Sequence, residues 1–292
     1  MNELPQHLAE WIVGLISPEF FVFNKKYYQF CLEKYFHEIL PRDPLLYHLI
    51  AKQFDNLNLI PYVYTSSKVC FSRSPLTFHA NFQNLSCLHL NRAGLKEIPE
   101  FINNLSSLRI LDLSSNQLED INSLDSLSKL EILVLNYNKI QFLSLGNLRV
   151  LQYLSLHHNS LTSIPDNLCQ LTNLQTLILD HNYISIIPAN IGFLKKLKYL
   201  YLYHNQIQNI PIYIGELAQL EQVYFDYNQI SVLPNSLVQL TQLRVLHLKY
   251  NYLTELPVTL GYLPNLQYLN VGFNNLQYVP STLFYLDKLY PK

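Results

Sequence analysis

Tyrosine and histidine side chains recur in this chain in register, and they are the groups that could do chemistry. Sorted by repeat position, one series reads Arg92, Ser115, Tyr137, His158, His181, His204, Tyr227, Tyr250 and Phe273. The residue before each reads Asn91, Ser114, Asn136, His157, Asp180, Tyr203, Asp226, Lys249 and Gly272. A third series reads His89, Asp112, Val134, Ser155, Ile178, Tyr201, Tyr224, His247 and Asn270, and a fourth contributes Tyr153, Tyr199 and Tyr268. Three chemistries suit the run His158, His181 and His204. Imidazole is a common metal ligand, but a flat column does not converge on tetrahedral bonds of about 2.0 to 2.1 Å. Aligned imidazoles also repel once protonated near pH 5 to 6, which would make a contact pH-sensitive. The third role, neutral hydrogen bonding at a protein contact, fits best beside so many tyrosines.

Catalysis finds little support. Cys87 and His89 share a face at i, i+2, and Asp180 neighbours the histidines, but a dyad needs side chains within about 2.6 to 3.2 Å of each other and an orienting third group. On strand geometry the Cys87 and His89 backbones stand farther apart than that, so no catalytic pair is expected. The chain has only seven glycines and no phosphate-cradling loop.

The elements that must position these side chains follow one frame. L-x-x-L-x-L-x-x-N-x-L begins at Leu85, Leu108, Leu130, Leu151, Leu174, Leu197, Leu220, Leu243 and Leu266, in steps of 23, 22, 21 and thereafter 23 residues. A fixed period of this length marks a stacked solenoid. The x-L-x-L-x core alternates, so its leucines point inward and their neighbours outward as a short strand. Stacked strands lie about 4.8 Å apart, so equivalent outward residues form columns on one face. The Asn at 116, 138, 159, 182, 205, 228, 251 and 274 turns the chain out of the strand, its carboxamide offering donors and an acceptor to buried backbone groups. The first repeat has Ala93 there, so its turn must be satisfied otherwise. An apolar residue and proline follow at Pro99, Pro165, Pro188, Pro211, Pro234, Pro257 and Pro280. Proline fixes φ and donates no ladder bond, which suits an outer arc of irregular or 3-10 backbone. The second and third repeats lack it, and irregularity is expected near residues 121 to 150.

This grammar resembles that of leucine-rich-repeat proteins, in the class that closes each turn with I-P-x-x-I-G-x-L. The resemblance implies an α/β leucine-rich-repeat solenoid with a curved parallel sheet on the concave face, an irregular, 3-10 or short helical convex arc, and an N-terminal helical cap. The divisions expected are a cap over residues 1–60, a transition segment over 61–84, nine repeats over 85–280, and a tail over 281–292 covering the last repeat. A solvated face would favour Lys and Glu, whereas Tyr supplies rigid amphipathic area suited to protein contacts. The residues expected to meet a partner protein are therefore Tyr137, Tyr153, His157, His158, Asp180, His181, Tyr199, Tyr201, Tyr203, His204, Tyr224, Asp226, Tyr227, His247, Lys249, Tyr250 and Phe273.

Residues 1 to about 60 read as helices at roughly 4–16, 18–40 and 44–57, broken at Pro18, Pro41 and Pro44. Their simple role is to bury the open end of the first repeat, because solenoid ends need a cover. Leu4, Pro5, Leu8, Ile12, Val13, Ile16, Pro18 and Phe20 are also similar to the opening of an F-box, with His7 in place of its Glu. That resemblance implies the alternative of a substrate receptor of a cullin ubiquitin ligase, holding an adaptor through these helices.

Composition bounds the partners. Twenty Lys and Arg against 21 Asp and Glu give a net charge of −1, with no surplus to neutralise nucleic acid. No apolar run approaches the roughly 20 residues of a membrane span. Glu3 and Glu10 replace the basic start of a signal peptide. Cys31, Cys70, Cys87 and Cys169 show no paired caps, which points to a reducing cytosol. No metal or other cofactor is expected. The Asn, Tyr and Ile bias and the absence of cysteine caps resemble the leucine-rich-repeat effectors that intracellular bacteria deliver into host cells. That resemblance implies a protein that inhibits or redirects a host enzyme.

Overall fold

The computed structural model describes residues 86–290, apart from residues 122, 123, 125, 146 and 287. The expected cap and the F-box-like helices over 1–60, and the transition segment, lie outside the described residues. Ten strands of three residues form one sheet in which each pairs in parallel with the next in sequence. They are β1 Cys87–His89, β2 Ile110–Asp112, β3 Ile132–Val134, β4 Tyr153–Ser155, β5 Thr176–Ile178, β6 Tyr199–Tyr201, β7 Gln222–Tyr224, β8 Val245–His247, β9 Tyr268–Asn270 and β10 Lys288–Tyr290. The register has no stagger: Tyr199, Leu200 and Tyr201 face Gln222, Val223 and Tyr224. Repeat-equivalent residues therefore sit side by side, as the columns require. Within residues 281–292, β10 adds to the edge of β9, pairing Lys288 with Tyr268 and Tyr290 with Asn270. The last repeat is thus followed by a further rung of the same sheet.

The inward leucines make one continuous core along the solenoid, with Leu197, Leu200, Leu202, Ile207 and Ile214 all without solvent exposure in a single turn. Phe225 takes a leucine position and is the largest of the fully buried side chains. On the convex side, 3-10 segments run over Glu100–Asn104, Leu168–Gln170, Ala189–Phe193, Ile212–Glu216, Asn235–Gln239, Val258–Tyr262 and Ser281–Leu283. Each belongs to a repeat that carries the proline. In the Ala189–Phe193 turn Ile191 N–H donates to Pro188 O at 3.1 Å and Leu194 N–H to Ile191 O at 3.1 Å, the i to i+3 pattern. The second and third repeats, which lack the proline, form no such segment among the described residues.

The asparagines tie the turns together. Asn205 Nδ2 donates to Leu202 O in its own repeat at 3.1 Å and to Leu179 O of the preceding one at 3.0 Å, while its Oδ1 accepts from Ile184 N–H of the preceding repeat at 2.9 Å. The same triplet recurs from Asn116 to Asn274. Each asparagine thus serves the repeat before its own. This resolves the exception at Ala93: Leu90 O and Leu95 N–H are paired by Asn116 of the second repeat.

Two substitutions test this frame. Asn205→Ala should cost about 1 to 3 kcal/mol in urea unfolding, because the buried Ile184 N–H loses its partner and the Leu179 and Leu202 carbonyls each lose one of two asparagine donors, whereas exposed Gln206→Ala should stay within about 0.5 kcal/mol. Gly215→Ala should cost about 1 to 3 kcal/mol by overpacking: an added Cβ would lie 2.4 Å from Ser236 O in the next turn, a backbone atom with little room to yield.

Candidate functional site

The residue preceding each ladder asparagine, or Ala93 in the first repeat, must reverse the chain out of the strand, and it does so in the left-handed region. Arg92, Ser115, Tyr137, His158, His181, His204, Tyr227, Tyr250 and Phe273 all have φ between 53° and 57°. Such a conformation costs an ordinary residue roughly 1 to 2 kcal/mol, so the asparagine bonds on either side must hold it in place. Seven of these residues carry rings, and identical backbone geometry at each rung stacks them. Ring centroids lie 4.8 Å apart for Tyr137–His158, 4.2 Å for His158–His181, 4.4 Å for His181–His204, 4.1 Å for His204–Tyr227, 4.4 Å for Tyr227–Tyr250 and 4.3 Å for Tyr250–Phe273. Interplanar angles stay between 10° and 22°. This pile runs along the rim where the strands end, with Tyr137, Tyr227 and Phe273 about half exposed.

A second stack stands on the strands. Tyr201, Tyr224 and His247, each the last residue of its strand, have centroids 4.9 and 4.6 Å apart, and Tyr268 follows at 4.7 Å. Burial pushes the Tyr201 phenol up to about 12. Tyr268 reaches the stack from the first position of β9, because the last position there is Asn270. Sequence columns alone placed it elsewhere, and the ringless Asn270 was the signal. Tyr153 and Tyr199 occupy first strand positions, partly buried, outside both stacks.

Between the stacks lie carboxylate and imidazole pairs. Asp180 is 1% exposed and hydrogen-bonded to His157 Nδ1. Burial would raise its pKa, but the bonds from His157 and Tyr203 outweigh it and hold the carboxyl below its ordinary range. Burial and the bond to Asp180 together push the Tyr203 phenol well up. Asp180 was expected to meet a partner directly; its burial rules that out, and it acts instead by fixing His157 and Tyr203. On the other side His157 Nε2 lies 3.1 Å from the Tyr137 hydroxyl. Asp226 repeats the motif at 3.2 Å from His247 Nδ1, and its Oδ1 accepts from Lys249 N–H at 2.8 Å. The Lys249 ammonium sits 4.8 Å over the Tyr250 ring and 5.0 Å over Phe273, in cation–π range. These groups border an open groove of about 390 Å³ lined by Tyr203, His204, Tyr224, Asp226, Tyr227, His247, Lys249 and Asn270.

The histidine run does not converge on a metal, since His158, His181 and His204 lie face to face. Burial and the neighbouring imidazoles lower the pKa of His158 and of His181, so both are neutral at pH 7. The cluster whose donor atoms do approach one another is His157, His158 and His181, all within 4.8 Å.

At the first strand the expected separation of Cys87 and His89 does not hold. Cys87 Sγ and His89 Nε2 are 3.2 Å apart, and His89 Nδ1 lies 3.5 Å from Asp112 Oδ2 on β2. Backbone separation misled, because side chains two apart on one face lean together. Burial lowers the His89 pKa, but the Cys87 sulfur and Asp112 outweigh it and hold the imidazole up at about 10. Cys87 and Cys169 are both free thiols, and burial with Asp166 pushes the Cys169 thiol up to about 12. No helix among the described residues is long and apolar enough to cross a membrane.

One-turn units stacked into a parallel sheet, tied by buried asparagines and presenting an aromatic face, define a repeat solenoid. Family comparison gives it its name: a leucine-rich repeat region model matches residues 117–229, and a leucine rich repeat model matches residues 83–140 and 218–276. The chain is a leucine-rich-repeat protein. It is 39% identical over 90 residues to the volume-regulated anion channel subunit LRRC8A of Homo sapiens, a match covering 29% of this chain and 11% of that protein. Among solved structures it is similar to a leucine-rich-repeat protein of Leptospira interrogans, with TM-score 0.68 and 32% identity over 74% of this chain and 56% of that one. It is also similar to the ectodomain of the membrane receptor kinase GASSHO1/SCHENGEN3 of Arabidopsis thaliana in complex with CASPARIAN STRIP INTEGRITY FACTOR 2, with TM-score 0.62 and 31% identity over 70% and 29% of the two chains. The similarity therefore concerns the repeat domain and not these proteins as wholes. Domains of this family and fold are typically non-catalytic protein-binding modules.

The Asp112 pair has a pH signature. Burial would raise this carboxyl's pKa, but His89 and Ser114 outweigh it and hold the value below the ordinary 3.8. A depressed value contributes stability that is complete above that range and fades as pH falls through the folded value. Asp112→Asn should therefore destabilise at pH 7, and the gap to the wild type in urea unfolding should narrow below pH 3.8.

Proposed function

We propose that this chain is a non-catalytic recognition protein that grips a partner protein through its Tyr and His face. The observation that carries the reading is the double stack. Rings that already lie against their neighbours have lost rotamer freedom, so docking onto them costs less ordering entropy than docking onto free side chains. Aromatic anchors with a polar rim are also the composition of protein contacts. In this reading Tyr201, Tyr224, Tyr227, His204 and His247 form the centre, Lys249 and Asp226 supply charged contacts at the groove, and Asp180 is a buried support.

The reading extends to a bacterial effector that works in the reducing cytosol of a host cell. There it covers or redirects an enzyme. Its supports are the Asn, Tyr and Ile bias, the absence of paired cysteine caps and the likeness to the Leptospira protein. The competing reading, a substrate receptor of a cullin ubiquitin ligase, assigns adaptor binding to the F-box-like residues and substrate capture to the same face.

A capture experiment from host-cell lysate separates them, using wild type, a face variant (Tyr201, Tyr224 and His204 to Ala) and an N-terminal variant (Leu8 and Ile12 to Ala). The face variant should weaken the purified partner by several kcal/mol, since aromatic anchors dominate interfaces, while keeping the wild-type melting profile. Unchanged affinity would move the site off this face. A cullin adaptor lost only with the N-terminal variant would support the receptor reading instead.

A further inference from the structure

Within the face proposed to meet a partner, the rim carries one cluster of imidazoles whose arrangement suits a second role. His157 and His158 lie at the end of one strand turn and His181 on the next, each contributing a ring nitrogen within 4.8 Å of the others. We propose that these three imidazoles bind a divalent transition metal of the imidazole-preferring class, Zn²⁺ being the test ion, with Asp180 as the positioning residue behind His157.

The plane of His157 stands at 85° to that of His158 and 88° to that of His181. Its lone pair therefore approaches from a different direction from theirs, which the flat column His158, His181, His204 could not provide. Tetrahedral Zn²⁺ with bonds of about 2.0 to 2.1 Å needs ligand nitrogens about 3.4 Å apart. The remaining distance is closed by turning His158 and His181 about their side-chain bonds. Turning them breaks no hydrogen bond to a described residue and gives up part of their stacking on Tyr137 and His204, which the metal bonds must outweigh.

His157 is prepared in the opposite way. Its Nδ1 is bonded to Asp180, which is buried and also takes the Tyr203 hydroxyl. In the neutral ring this leaves the Nε2 lone pair as the ligand. A carboxylate behind a ligating histidine fixes the tautomer and ring orientation and raises its basicity. In this tautomer the Tyr137 hydroxyl donates to that Nε2 at 3.1 Å; the ion would displace it, and the hydroxyl then stands where it can hydrogen-bond a water on the ion. Three nitrogen ligands leave a fourth position open to water or to a side chain of a docked protein. Nitrogen donors suit Zn²⁺, Ni²⁺ or Cu²⁺ and not Ca²⁺ or Mg²⁺, which take oxygen.

The test is calorimetric titration of Zn²⁺ into the full chain after chelator treatment and dialysis. Residues 1–85 also carry histidine and cysteine, so the readout is the difference between variants of one full-length protein. The wild type and His204→Ala should take up one more Zn²⁺ per chain than His158→Ala or His181→Ala, and Mg²⁺ should not fill that site. Asp180→Asn should weaken it about 10- to 100-fold. His158 and His181 are exposed or partly buried, so their removal leaves the core intact, and far-UV circular dichroism confirms it. Superimposable isotherms for wild type, His158→Ala and His181→Ala would overturn the proposal, as would equal loss in His204→Ala. Unchanged affinity in a folded Asp180→Asn would remove Asp180 from the site.

Discussion

A buried turn leaves backbone amides and carbonyls with no water to satisfy them, and everything else in this solenoid follows from how that need is met. One asparagine carboxamide per repeat does it, reaching two carbonyls and an amide that no ladder bond uses. Because two of those groups belong to the preceding repeat, the bonds fix the distance and rotation between units as well as the shape of each. The unstaggered register is the outcome. A core of leucines alone would permit sliding, since apolar contact is non-directional. The asparagines forbid it.

The same bonds determine the surface. The residue before the ladder position adopts a left-handed backbone in every described repeat, Arg92 before Ala93 included, and the asparagine bonds on either side hold it there. Side chains leaving identical backbones at strand spacing can only run parallel, and where they are rings the spacing suits stacking. The aromatic pile is thus a product of the turn geometry plus a choice of residue type. The strain of the left-handed positions and the order of the recognition face are two aspects of one arrangement.

The frame was open to reading because its signals are local and repeated. Leucine and asparagine positions gave the strands, the prolines gave the 3-10 arc, and the interval gave the columns. What escaped lies between columns. Asp180 looked like a surface acid in its column, yet the ring of His157 covers it from one side and Tyr203 from another. Tyr268 changed stacks because Asn270 left a place. Cys87 and His89 met because side chains lean, which a spacing rule based on backbone atoms does not register. The direction of the ladder bonds was equally hidden: the type and position of Asn116 say that it bonds, but not that it serves Leu90 and Leu95 in the repeat before it.

That direction has a consequence for how such a chain changes length over evolution. Since each carboxamide completes the unit before it, duplication of one whole period by unequal recombination reproduces every bond at both new junctions. It also lengthens the recognition face by one rung. A shift of a single codon between the strand and its asparagine breaks the bonds on both sides at once. The steps of 22 and 21 residues fall where the proline is missing and no 3-10 turn forms among the described residues. There the outer arc absorbs the shortfall while the strand and its asparagine stay in phase. Growth and loss by whole periods, with slack confined to the convex side, are what this bonding pattern permits.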